Sequence, residues 1–510
     1  MNRLCSRNVS GHPSSTSRPK RLPDVNFGLW LSIVATLGTL LRLFRLGSRS
    51  FWLDEAISAM LARVDRHVFA AAVIHRQANM VLYYLLLRNW AWLGSNEFAI
   101  RGLSVVAGVA AIPAIYFLGA HLFGPRAGRV SAILLSIHAF HIRYSQEARA
   151  YSLSMLLAVL SSLFFLWSLE RPSRKNWGAY VLASTLMLYA QVFGGWVLFA
   201  QWLSLFLRRE VPWKSFLFSA SIVCFLASPL AYCLLFVSDR TQLAWLTMPS
   251  LQDLYRFCLD MAGDGGPLLL FAYAGGIAAG ISRLMSQSSF ADTWKYWLLL
   301  MWLILPVALV LGISLRWPMF EPRFLIFCIP PLVLLASDAL AQIRGRVLFV
   351  AALMILLGLS LSGTYSYYRS RADEAHSDDW RGATRHVLTQ AKAGDAVLFS
   401  YSEERLAFDE YQWLLHMPSS QIHEFPEETE SELLTRRPSR PSAEVLDNII
   451  AGYRRVWVLS AYQPNRASRE AEAVLNSHLS EHGDWSFGFV HANLFADRTG
   501  CLQEQLKGCH

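Results

Sequence analysis

From Phe27 to Tyr367 the chain alternates long apolar runs with short polar breaks. The clearest runs occupy residues 27–46, 98–122, 151–169, 215–237, 297–315, 324–341 and 347–367. Runs of roughly 17 to 25 apolar residues are long enough to cross about 30 Å of hydrocarbon as helices. The expected fold is therefore a polytopic α-helical membrane protein with about 11 to 13 membrane helices. Beyond Tyr367 the pattern changes to polar helical periods interrupted by short apolar stretches. Gly394-Asp395 leads into Ala396-Val397-Leu398-Phe399, and Arg454-Arg455 leads into Val456-Trp457-Val458-Leu459, which read as buried strands. Helical patterns over 379–391 and 468–482 flank them, so a small soluble α/β domain is expected at 369–510, after a membrane domain at 27–368.

Composition agrees with a bilayer: 54% of the 510 residues are hydrophobic and 16% charged, too little charge for the surface of a soluble chain of this size. The net charge of +9 reads as membrane topology, and no nucleic-acid partner is expected. Residues 1–26 form a basic tail with Arg3, Arg7, Arg18, Lys20 and Arg21, expected to be disordered and cytoplasmic and to lead into a signal anchor. Basic loops at 171–175, 208–214 and 344–346 are expected in the cytoplasm. That places 48–79, 239–265, 317–323 and the C-terminal domain outside. An odd number of crossings is then required. The segment 130–140, short and flanked by Arg126, Arg129 and Arg143, is the candidate for one that does not span. The same count puts Arg101 at the cytoplasmic end of its span, paired with Glu97. The seven cysteines show no zinc spacing. Cys224, Cys233, Cys258 and Cys328 read as core, and Cys501 and Cys509 can pair only in an oxidising compartment.

Candidate chemistry lies in the outer loops. Asp54 and Glu55 follow the first span within Ser50-Phe51-Trp52-Leu53-Asp54-Glu55-Ala56. A carboxylate there can act as general base on a hydroxyl at headgroup level, or serve only to start a helix. Arg143, Gln146, Glu147 and Arg149 lie together in the next candidate loop. Glu321 and Arg323 open a later span. Arginines at an interface grip phosphate through paired hydrogen bonds. The bland alternatives are an internally paired loop and a snorkelling cation.

Taken in order, Trp52-Leu53-Asp54-Glu55, Val81-Leu82-Tyr83-Tyr84-Leu85-Leu86-Leu87, Ser95-Asn96-Glu97-Phe98-Ala99-Ile100-Arg101, Tyr144-Ser145-Gln146-Glu147-Ala148-Arg149-Ala150-Tyr151 and Pro322-Arg323-Phe324 resemble the signature of bacterial membrane glycosyltransferases related to protein O-mannosyltransferases and aminoarabinose transferases. The resemblance covers about residues 27–342 and implies a GT-C fold in the bacterial inner membrane. It implies a polyprenyl-phosphate sugar donor, an envelope acceptor (lipid, glycan or protein), and inversion at the anomeric carbon. Asp54 would be the base, with Glu55 beside it. Arg143, Gln146, Glu147, Arg149, Asn79, Tyr83, Glu321 and Arg323 would contact the donor phosphate or sugar. No cofactor or metal is required, and a divalent cation is not indicated. Two positions depart from the pattern: Asn79 and Gln191 stand where relatives often carry histidine, which keeps a hydrogen-bonding group but not a titratable one. The competing function is a lipid or sugar transporter or flippase, against which stands the absence of paired, Gly/Pro-interrupted half-repeats.

Overall fold

The computed structural model describes residues 25–239, 246–286, 290–372, 378–417, 421–461 and 466–497. The basic tail and Cys501 and Cys509 lie outside the described residues, apart from the last two positions of the tail. Among the described residues, seven helical segments are long and apolar enough to cross a membrane. They are not equivalent. In Pro322–Ala341, 89% of the apolar window is buried within protein, whereas in Trp213–Val237 the figure is 17%, so the first is central and the second faces lipid.

The helix α1 (Val25–Leu43) leads to a face occupied by α2 (Leu53–Arg63), α3 (Arg66–His75) and α4 (Val81–Trp90). The ten residues of α4 extend about 15 Å, half of what a crossing needs. Its Arg88 donates to Leu61 O and Val64 O at the end of α2. α4 therefore stays on the Asp54 face, and α5 (Glu97–Phe123) starts there. This corrects the expected position of Arg101, which lies beside Ser50 and Glu55 and not at the opposite end.

α5 ends at the other face, where His121 meets Glu170 at the end of α8 (Tyr151–Glu170). Between them α6 (Pro125–Ser136) and α7 (Ala139–Ser145) carry the chain back, broken at Ile137 and His138. Segment 130–140 thus belongs to a broken crossing. The short apolar element that stays on one face is α4. α5 and α6 pack so closely that a Cβ on Gly128 would meet Tyr116 O at 2.7 Å.

The chain then alternates through α9 (Arg174–Ala190), α10 (Gly195–Ser204) and α11 (Trp213–Tyr232) to a surface helix, α12 (Leu251–Ala262). α12 has exposed Leu251 and Tyr255 on one side and buried Phe257 and Met261 on the other. α13 (Gly266–Ser286), α14 (Phe290–Ser314), a 3₁₀ turn at Pro322–Cys328 running into α15 (Ile329–Ala341), and α16 (Arg346–Ala372) complete the membrane part. Of the four described cysteines only Cys328 is buried.

The C-terminal domain holds α17 (Trp380–Gln390), β1 (Asp395–Phe399), α18 (Ser402–Leu414), β2 (Ile422–Phe425), α19 (Glu430–Thr435), α20 (Ala443–Gly452), β3 (Arg455–Ala461), α21 (Arg466–His478), β4 (Ser480–Phe487) and β5 (Val490–Ala496). The sheet order is β2-β1-β3-β5-β4, parallel through β2, β1 and β3 and antiparallel beyond. β1 is buried along its whole length and β3 nearly so, as their continuous apolar runs require of central strands. The helix expected to reach residue 482 stops at His478, and its last residues belong to β4.

Candidate active site

Asp54 and Glu55 are consecutive in the first turn of α2, about 100° apart around the helix, and their surroundings differ completely. Glu55 is 1% exposed. Its Oε1 accepts from Arg101 Nε at 2.8 Å and from Ala148 N at 2.7 Å, and its Oε2 accepts from Arg101 Nη2 at 2.6 Å. Arg101 gives its remaining N–H groups to Leu46 O, Arg49 O and Ser50 O. Every donor of this guanidinium is thereby used inside the protein. Glu55 ties the start of α2 to α5 and to the loop between α7 and α8, and has no open face for a substrate. Its expected place at the reacting centre is corrected on that ground.

Asp54 does not cap its helix, whose N-cap is Trp52. Its carboxylate remains one-third exposed, with Oδ2 3.5 Å from Arg149 Nη2 and 3.9 Å from Arg323 Nη1. Arg149 is held from behind: Nη1 donates to Tyr84 OH at 2.9 Å, and Tyr84 donates to Gln77 Oε1. Arg323 lies over the Trp52 ring, 5.1 Å from its centroid, and 3.4 Å from Glu321 Oε1. One carboxylate with solvent access thus stands between two cations that are each fixed by a second partner.

The other predicted contacts divide. Arg143 is half exposed and faces the open side of the site, with Nε 3.8 Å from Oε1 of the largely buried Glu147. Burial pushes the Glu321 carboxyl above its ordinary range, against the pull of Arg323 and Arg143. Gln146 is fully buried: its amide donates to Arg42 O and Phe44 O and accepts from Tyr367 OH. Tyr83 is buried as well, and since Ser104 Oγ donates to Arg149 O, the Tyr83 hydroxyl is the donor to Ser104. Gln146 and Tyr83 therefore hold the backbone of the arginine loop, and their expected donor contacts are corrected. Asn79 is half-buried in a turn at Ala78–Met80 that packs on α9.

Sequence reasoning missed Asp260 on α12, which lies toward Arg143 and Glu321 and whose carboxyl burial pushes up to about 6. Its only signal was an acid on the apolar side of an amphipathic helix. Among the described residues no group of three or more His, Cys, Asp or Glu side chains is disposed to hold a metal.

The sequence model of the dolichyl-phosphate-mannose-protein mannosyltransferase family matches residues 79–236, a stretch that contains Arg143 to Arg149 but not Asp54 or Arg323. No curated protein matches the sequence. Among solved structures, ArnT from Cupriavidus metallidurans in the apo state is 11% identical, covering 92% of this chain and 98% of its own, with a TM-score of 0.63. The same protein bound to undecaprenyl phosphate aligns over 91% of this chain at 11% identity and a TM-score of 0.59, again covering 98% of its own chain. The archaeal oligosaccharyltransferase AglB from Archaeoglobus fulgidus, in complex with an inhibitory peptide and a dolichol-phosphate, is 14% identical over 92% of this chain and 74% of its own, with a TM-score of 0.53. ArnT and AglB thus share their fold with this chain over 92% of its length, and residues 79–236 are similar in sequence to the mannosyltransferase family.

Proposed function

We propose that this protein is an inverting glycosyltransferase that moves a sugar from a polyprenyl-phosphate donor to an envelope acceptor. The reaction takes place on the face that carries Asp54 and the C-terminal domain, which is the extracytoplasmic side of a bacterial inner membrane. The seven long helices then cross together with the shorter α1, α6–α7, α9 and α10, and the chain starts and ends on opposite sides. The observation that carries the reading is Asp54, partly exposed and set between Arg149 and Arg323.

In the proposed step an acceptor hydroxyl gives its proton to Asp54 as its oxygen forms a bond to the anomeric carbon. The bond from that carbon to the phosphate oxygen breaks on the opposite side, so configuration inverts. The leaving polyprenyl phosphate takes the electron pair, and Arg149 and Arg323 neutralise the charge it gains. Arg143, Glu147, Glu321 and Asn79 line the approach for the sugar and acceptor. The bonds that fix Arg149 and Arg323 before substrate arrives mean that little reorganisation is needed at the moment of reaction.

Cells lacking the protein, complemented with wild type or Asp54→Asn, test this by mass spectrometry of polyprenyl-phosphate sugars and envelope glycans. One donor should accumulate and one glycan lose a residue, with only wild type restoring both. Full restoration by Asp54→Asn would remove the base and favour a transporter or flippase. In purified protein, Asp54→Asn should slow sugar transfer by about 10²- to 10⁴-fold at a normal protein yield.

A further inference from the structure

Gln191 ends α9 on the Asp54 face, and its side chain is fully buried. Neither its amide nitrogen nor its amide oxygen has a hydrogen-bond partner among the described residues. Burying a carboxamide with both ends unmet is costly, and native proteins retain such groups where something outside the chain completes them. The location indicates what that is. Two residues further on, Phe193 stacks on Phe324 with centroids 4.9 Å apart, next to Arg323. On its other side the end of α9 packs on the Ala78–Met80 turn that precedes the helix of Tyr84. A further buried N–H group near Asp54 also lacks a partner among the described residues: Trp52 Nε1, on the ring beneath Arg323. The Gln191 amide nitrogen and Trp52 Nε1 are donors, so the atoms that complete them are acceptors, while the Gln191 amide oxygen calls for a donor. An anionic oxygen group beside Arg149 and Arg323 supplies those acceptors.

We propose that Gln191 is a ligand-contact residue whose amide N–H groups donate to phosphate oxygens of the polyprenyl-phosphate carrier. The proposal rests on the donor class put forward above. It makes Gln191 a residue that binds the phosphate before transfer and holds it after the sugar has left. It carries no proton in the reaction, because a carboxamide does not titrate.

The two roles open to Gln191 predict opposite stability changes. If the carboxamide serves the fold, replacing it with an apolar side chain lowers the melting temperature. If it serves a ligand, Gln191→Leu removes two unmet polar atoms, and the ligand-free protein melts at the same or a higher temperature. The experiment uses the full-length protein in detergent with undecaprenyl phosphate as the probe, reading affinity by native mass spectrometry and unfolding by heat. Gln191→Leu should bind the probe about tenfold more weakly without losing thermal stability. Gln191→Glu, of the same shape but negative, should bind more weakly still. Unchanged affinity in Gln191→Leu overturns the assignment, as does a lower melting temperature shared by Gln191→Leu and Gln191→Met. A wild-type protein that does not bind undecaprenyl phosphate at all overturns the donor class itself, an outcome distinct from either.

Discussion

Asp54 and Glu55 show how far neighbouring residues of one type can differ in role. With the Arg101 guanidinium enclosed and Glu55 its one ion-pair partner among the described residues, Glu55→Ala leaves a buried cation unpaired. Breaking such a pair costs about 3 to 5 kcal/mol, so thermal unfolding of Glu55→Ala should be sharply lowered. Arg101→Lys should also be destabilised, because three donors cannot meet five acceptors. Asp54→Asn, by contrast, should melt near wild type while losing transfer. The acid pair was legible in the sequence, as were Arg149 and Arg323. The division of labour was not, because Glu55's partner lies 46 positions away and its position depended on a topology that local hydropathy misread. Gln146 and Tyr83 were misassigned for a related reason: a polar side chain in a functional loop reads the same whether it faces the substrate or the backbone behind it.

At the level of elements, the break between α6 and α7 aims the arginine loop. It is held by Arg42 of α1, fully buried, whose guanidinium donates to Gly38 O, Leu135 O and Ser136 O and contacts His141 Nδ1 and Ser145 Oγ. Of those carbonyls, Ser136 O is the last of α6 and has no partner within the helix. Arg42→Met should therefore expose segment 143–149 to faster amide exchange and lower sugar transfer, while Arg42→Lys should restore part of both. Hydropathy located six of the seven long spans to within a few residues and did not single out Gly266–Ser286, and α4 was beyond its reach. A ten-residue helix with eight apolar positions suits either a surface helix or part of a crossing, and the bonds from Arg88 to the end of α2 decide.

For the molecule as a whole, the C-terminal domain grips both ends of α2. At the start, Phe51 N donates to Tyr411 OH and Arg381 N donates to Ser50 Oγ. At the end, Arg63 pairs with Glu410 and Glu430, and further along Arg76 pairs with Glu403. Burial pushes Glu410 up to about 7 against the pull of Arg63, with Glu430 and Glu97 adding to the rise. Burial also raises Asp409, faced by Arg405, Glu424, Glu430 and Arg63. Because folding raises these acids, it takes up protons. The stabilisation is fully present below the ordinary carboxyl range and is lost as pH rises through about 7. Protection factors of the α18 amides, which remove the intrinsic pH dependence of exchange, should accordingly be larger at pH 5 than at pH 8, and Glu410→Gln should flatten that difference.

The bond from Phe51 to Tyr411 joins residues 360 positions apart. A ribosome adding about 5 to 20 residues per second needs roughly 20 to 70 s to cover that interval. Throughout it, the helix carrying Asp54, the proposed base, is already made while its clamp is still unsynthesised. A nascent or prematurely terminated chain therefore sits in the membrane without an assembled centre, and the last-made part of the protein decides when the first-made part begins to work.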